Sequence, residues 1–160
     1  MNAYDVLREH HAMLKALGRK VSAAPLTSPE RHELFDEILL ELDIHFRIED
    51  ELYYPALSAA GEWIAIAHKH RQVVDQLGRL MRTPQSAPGH LEAWAAFVTV
   101  LEAHADGEER DMIPAPPPVR ISDADLEALG DKMAAHMTAL RGSALYELRT
   151  RGKIELLRAM

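Results

Sequence analysis

Apolar residues recur at intervals of three and four along nearly the whole chain, and no stretch sustains the alternation of a strand. That pattern predicts an all-α protein. Val6, Leu7, Met13, Leu14, Leu17 and Val21 form a first stripe that ends near Pro25. Thr27, Ser28, Pro29 and Glu30 read as a cap with proline in the first turn. A long second helix follows through Ile38, Leu42, Ile48 and Leu52, and is expected to break around Pro55 to Gly61. A third helix is expected from about Glu62 to Arg82, and a fourth from about His90 to Met112. The run Pro114, Ala115, Pro116, Pro117, Pro118 cannot be helical and reads as a stiff connector. Beyond it, Ser122 with Asp125 resembles a capping box opening a helical hairpin that contains Gly142 and Gly152. The expected architecture is an up-down-up-down four-helix bundle over residues 1–114, a proline-rich connector over 115–121, and a C-terminal helical extension over 122–160 packed on the same domain.

The first four helices repeat a scheme. VLREHHAMLKALGR (6–19) aligns without gaps to IAHKHRQVVDQLGR (66–79) at an offset of 60, which sets His10 on His70. HFRIEDELYYP (45–55) aligns to HADGEERDMIP (104–114) at an offset of 59, which sets His45 on His104, Glu49 on Glu108 and Pro55 on Pro114. Each half thus carries a histidine on its first helix and His-x-x-x-Glu on its second. At about 100° per residue, His10 lies at the centre of its apolar stripe, and Ile66, Val73, Val74 and Leu77 place His70 likewise. His11 and His68 fall off the stripe in this register. His45 and Glu49 share the face of Leu42 and Leu52, and His104 and Glu108 that of Leu101 and Met112.

A lone core histidine is usually just hydrogen-bonded, and a lone His/Glu pair at i, i+4 is usually solvated. Four imidazoles and two carboxylates in one apolar core are different, because each buried group left unpaired costs about 1–3 kcal/mol. A metal centre removes that cost by taking the lone pairs as ligands. Nitrogen and carboxylate donors without sulfur suit iron, manganese or zinc. Six ligands exceed one tetrahedral zinc and suit two metals, each with two imidazoles, bridged by Glu49 and Glu108. The alternative bundle scheme, Glu-x-x-His at i, i+3, does not occur in the sequence.

Composition narrows the function classes. Apolar residues at 48% and charged ones at 27% of 160 residues are ordinary for one globular domain. The start, MNAYDVLREHH, does not resemble a signal peptide, and no window approaches the roughly 18 apolar residues of a membrane helix. The absence of cysteine excludes disulfides, thiolate chemistry and sulfur-ligated metals, and fits a cytoplasmic location. A net charge of −7 argues against nucleic acid or anionic membrane as a partner.

His10, His45-x-x-x-Glu49, His70 and His104-x-x-x-Glu108 together resemble the hemerythrin-like, or HHE cation-binding, family over roughly residues 4–114. With its IPAPPPV connector and helical tail, the whole chain is most similar to the small mycobacterial hemerythrin-like proteins. The resemblance implies two iron ions bridged by both carboxylates and an oxo or hydroxo group. Its members bind dioxygen, sense oxygen or iron, handle nitric oxide, or decompose peroxide. Oxygen-carrying members have a further histidine one turn before the third-helix ligand, and here that position is Ile66. Tyr53 and Tyr54 are the candidates to fill the resulting opening near His70 and His104; Tyr53, one turn beyond Glu49, stands where the family usually has an aliphatic residue. Glu41, one turn before His45, is a candidate to orient an imidazole N–H. Asp50 and Glu109, directly after the two glutamates, are candidates to support the ligands or carry protons, with solvation the plainer reading; His32, His90 and His136 read as surface or packing residues, and the basic residues from Arg141 to Arg158 as a solvated face.

The function expected on this basis is di-iron decomposition of hydrogen peroxide, catalase- or peroxidase-like, with nitric oxide as ligand or co-substrate. The alternatives are a reversible carrier or sensor of dioxygen or nitric oxide, and an iron store or donor. The partners expected are these small molecules, with oligomeric state left open.

Overall fold

The computed structural model describes residues 1–59, 67–117 and 119–159. Every regular element among them is helical: α1 (Ala3–Ala23), α2 (Pro29–Ile48), a π-helical turn (Glu49–Tyr53), α3 (Tyr54–Ser58), α4 (Ala67–Met81), α5 (His90–Asp111), α6 (Asp123–Arg141) and α7 (Ala144–Ala159). The expected opening turn of the third helix, with Ile66, falls outside the described residues. None of the described helices is long and apolar enough to cross a membrane.

Capping chemistry sets the helix starts. Asn2 Oδ1 accepts from the Asp5 N–H at 3.1 Å, and Ser28 Oγ from the Arg31 N–H at 3.1 Å, with Pro29 opening α2 as expected. Ser122 Oγ accepts from the Asp125 N–H at 3.1 Å and donates to its carboxylate at 2.6 Å. These bonds satisfy first-turn amides that have no partner inside their helix.

The second helical run passes through Pro55 and ends at Ser58, inside the stretch where a break was expected. Proline has no N–H and crowds the carbonyl four residues back, so an unmodified α-helix resists it. Here the chain widens to a π-turn before the proline, and the Tyr54 N–H bonds to the Glu49 carbonyl five residues earlier. The extra residue rotates everything after Ile48 relative to an α-helical register.

Two apolar clusters pack the bundle. One joins Leu14, Leu17, Phe35, Ile38, Leu42, Val73, Leu80, Trp94, Phe97 and Leu101. The other joins Leu7, Ile44, Ile48, Tyr53, Leu57 and Met112 with Leu126, Leu129, Met133 and Met137 of α6. His11, His45 and His104 fall between the clusters along their helices, so a polar layer divides the core. Helix α6 lies close on α1: a Cβ at Gly130 would run into the backbone of Met1 and Asn2. Helix α7 is tied to α2 by a hydrogen bond from the Tyr146 hydroxyl to Asp43 and by the Arg47 guanidinium 5.2 Å from the Tyr146 ring centre.

Candidate metal centre

Five residues of the dividing layer, His11, His45, Glu49, His104 and Glu108, each bring a nitrogen or oxygen within 4.8 Å of the other four. All five are buried. Glu49 is divided between two sides: Oε1 lies 3.1 Å from His45 Nε2, whereas Oε2 lies 2.7 Å from His70 Nε2 and 3.9 Å from His104 Nε2. Glu108 turns Oε2 to His11 Nε2 at 3.2 Å and lies 4.0 Å from His104 Nε2, while Oε1 accepts a hydrogen bond from the Tyr54 hydroxyl at 2.9 Å. Tyr54 Oη is also 3.1 Å from His70 Nε2. The rings fall into pairs, with centroids 4.8 Å apart for His11 and His45 and 5.2 Å for His70 and His104. The separations between these pairs are larger, 5.7 Å for His45 and His104 and 6.1 Å for His11 and His104.

Proximity pairs only some of these atoms: His70 Nε2 bonds to Glu49 Oε2 and Tyr54 to Glu108 Oε1. His11 Nε2, both nitrogens of His45 and His104, Glu49 Oε1 and Glu108 Oε2 are buried without a hydrogen-bond partner. Each such atom costs about 1–3 kcal/mol, so the layer is expensive as it stands. Imidazole and carboxylate donors that face a common space without pairing fit a cation, which would accept all their lone pairs at once.

Electrostatics agree with that fit. Burial drives His45 well below its ordinary pKa and His104 down to about 4, so both present neutral rings with a free lone pair. Burial also works against protonating His11 and His70, but the carboxylates beside them, Glu108 for His11 and Glu49 for His70, outweigh it and raise both. Burial raises Glu108, and the Glu49 charge beside it raises it further. Glu49 would rise for the same reason, yet the bond from His70 leads the effects that hold it low. Burial and then the two glutamate charges push the Tyr54 phenol upward, so it keeps its proton in the absence of a cation.

The structure corrects the position expected of His10. The residue in the cluster is His11; His10 turns away and its Nε2 bonds to Glu41 Oε2 at 2.9 Å. Arg141 of α6 grips the same carboxylate through Nε at 2.8 Å and Nη2 at 2.7 Å. Burial would raise Glu41, but these bonds, His10 first, hold its pKa at about 2. His10 looked central because the apolar stripe of α1 sums two interfaces, one with the bundle and one with α6. Its Val6 and Met13 side lines a cavity with Met137 and Arg141 of α6. The missed signal was the repeat offset. Offset 59, which relates His45 to His104, also sets His11 on His70, but the shared LGR drew the first alignment one residue away.

The remaining expectations divide. His45, Glu49, His104 and Glu108 come together, and His70 joins them through Glu49 and Tyr54. The Tyr53 hydroxyl instead donates to the Met112 carbonyl at 2.8 Å, and the π-turn delivers Tyr54. Glu41 orients a ring N–H, but that of His10. Asp50 and Glu109 are more than solvated residues: Glu109 Oε1 lies 3.0 Å from His11 Nδ1, and Asp50 Oδ1 3.4 Å from His70 Nδ1. They occupy equivalent repeat positions, each directly after a central glutamate, and each reaches the histidine of the opposite half. His90 is buried, with Nδ1 on the Thr83 carbonyl at 3.0 Å; His32 is exposed; His136 Nε2 lies 3.1 Å from Glu51. The side chain of His68 falls outside the described residues.

A helical bundle whose buried layer offers imidazole and carboxylate donors without sulfur has the make-up of a cation-binding protein. The description "Hemerythrin HHE cation binding domain" matches residues 2–116, and the chain belongs to that family. It is similar to a hemerythrin HHE cation binding domain-containing protein from Mycobacterium kansasii of known crystal structure. The two are 67% identical with a TM-score of 0.89, over 100% of this chain and 99% of that one. Uncharacterized proteins of Mycobacterium tuberculosis and Mycobacterium bovis are 70% identical to it over the full length of each chain.

Proposed function

We propose that this protein is a cytoplasmic non-haem di-iron redox protein that decomposes hydrogen peroxide, with nitric oxide as a further ligand or co-substrate. The observation that carries the two-metal reading is Glu49, whose Oε1 faces His45 while Oε2 faces His70 and His104. A carboxylate so divided suits a bridge. His11 and His45 would hold one iron, His70 and His104 the other, with Glu49 and Glu108 across both and Tyr54 beside the second. The bound irons supply paired one-electron exchange, so that one peroxide is reduced to two waters while a second is oxidised to dioxygen.

The chain's own residues set the conditions for that chemistry. Leu14, Leu42 and Leu101 on one side and Leu7, Ile44 and Ile48 on the other make apolar walls that exclude bulky reductants. Small neutral molecules such as peroxide, dioxygen and nitric oxide fit such a setting. Glu109 accepts from the outer nitrogen of His11 and so fixes its tautomer with Nε2 turned inward, and Asp50 lies 3.4 Å from the outer nitrogen of His70. Tyr54 keeps its own phenol proton and directs it at Glu108 Oε1, the position from which it would leave if a cation bound the phenol oxygen.

The test is metal analysis and peroxide turnover on protein purified after growth with ample iron. The proposal expects about two irons per chain and dioxygen release from peroxide. One ion per chain, or zinc alone, would sink the di-iron reading. Two irons with reversible dioxygen or nitric oxide binding and no peroxide turnover would favour a carrier or sensor.

A further inference from the structure

We infer that His10 is a positioning residue for His45, held in place by a relay, Arg141 to Glu41 to His10, that links helix α6 to the metal centre. The inference rests on reading the cluster as a metal centre.

The His10 side chain is fully buried, and its Nε2 faces a carboxylate that both nitrogens of Arg141 also grip. An ionised carboxylate only accepts, so His10 Nε2 carries a proton, and in the neutral ring Nδ1 is then an acceptor. That Nδ1 is buried and has no partner. On the adjoining ring, His45 turns Nε2 towards Glu49 and the centre. When Nε2 serves as a ligand, Nδ1 must carry the hydrogen, and it too is buried and without a partner. An orphan acceptor and an orphan donor therefore sit on neighbouring rings, with centroids 5.2 Å apart and planes at 68°. A ring rotation or a bridging water would join them. Metal-ligating histidines almost always give their second N–H to such an acceptor.

The relay also accounts for Arg141, whose guanidinium would have little reason to reach a largely buried carboxylate for stability alone. It serves one half of the repeat only. At offset 59 the counterpart of His10 is Lys69, so the sequence repeats no imidazole at the equivalent position. The two irons should therefore differ in how firmly their histidines are held.

The experiment compares iron affinity and Mössbauer spectra of the full chain with those of His10→Phe, Glu41→Gln, Arg141→Met and Arg141→Lys. The expected result is a loss of about 10- to 100-fold in affinity at one of the two sites, with one iron doublet shifted and the other unchanged. Glu41→Gln and Arg141→Met should shift the same doublet, and Arg141→Lys should restore it in part. Met137→Ala, which loosens the same α1–α6 interface without removing a relay group, should lower Tm and leave both doublets alone. Wild-type affinity and spectra in the relay variants would overturn the inference. So would a Met137→Ala spectrum shifted as much as that of Arg141→Met, since packing alone would then explain the effect. If His10→Phe fails to fold, the Glu41 and Arg141 variants decide. Absence of iron from the wild-type chain would instead overturn the metal reading itself.

Discussion

Tyr54 and Glu108 come from opposite halves of the repeat and meet in the buried layer, the phenol donating to Oε1 at 2.9 Å. The meeting depends on backbone geometry as much as on residue type. Tyr54 follows Glu49 by five residues, and only the π-turn sets two such residues on one face of a continuous helix. In an α-helix that place belongs to Tyr53. π-turns are uncommon and gather at functional sites, and this one puts a phenol next to His70, beside the proposed second iron.

Tyr54→Phe should alter the visible spectrum of the iron-loaded protein, removing any phenolate charge-transfer band, while Tyr53→Phe should leave it intact. Tyr53→Phe should instead cost about 1 kcal/mol of stability, because the Met112 carbonyl loses its buried donor. Absorption spectra and denaturant titration of the two variants check both halves of the claim.

His11→Ala should lower the metal content from about two towards one per chain, because it removes a proposed ligand. His10→Ala should retain two metals with weaker binding. Metal analysis after dialysis against a mild chelator distinguishes the two, and equal losses would contradict the assignment of His11.

Loading with iron should raise Tm markedly. The buried nitrogens and oxygens of the layer are unpaired without a cation, and ligand binding to the folded state alone adds about 2.7 kcal/mol at a hundredfold excess over Kd. Thermal scans of chelated and reloaded protein measure the difference.

Gly130→Ala should destabilise the protein by about 1–3 kcal/mol, since the added methyl group meets the backbone of Met1 and Asn2, which cannot yield as a side chain would. A fall in Tm with unchanged helical content would be the sign of it.

Glu41 makes stability depend on acid pH. Its carboxyl is held at about 2, against an ordinary value of 4.5. A depressed folded-state pKa means the unfolded chain takes up the proton first. The contribution is therefore complete above about pH 4.5 and is lost as pH falls towards 2. Glu41→Gln should flatten stability across that window by an amount on the order of 2 kcal/mol. Denaturation midpoints at pH 5 and pH 3 test it.

The helices and their caps could be read directly from residue order. Helical periodicity, the Ser28-Pro29 start and the Ser122 cap depend on dihedral preferences and bonds spanning three or four residues, and these are local. The two His-x-x-x-Glu pairs were legible for the same reason, because i and i+4 share a face in any α-helix. The choice between His10 and His11 was not local. The two are one residue, or about 100°, apart on α1, and both sides of that arc are buried, one by the bundle and the other by α6. Nothing within residues 6–19 reveals that a helix 120 positions later covers the Val6 and Met13 side. The choice between Tyr53 and Tyr54 was not local for a related reason: the π-turn widens one backbone turn ahead of Pro55, and the face that results depends on Tyr53 reaching Met112 and Tyr54 reaching Glu108. Periodicity states which residues are buried, but the partner elements settle which neighbour each one faces, because one residue of rotation costs little along a helix and much across a packed interface.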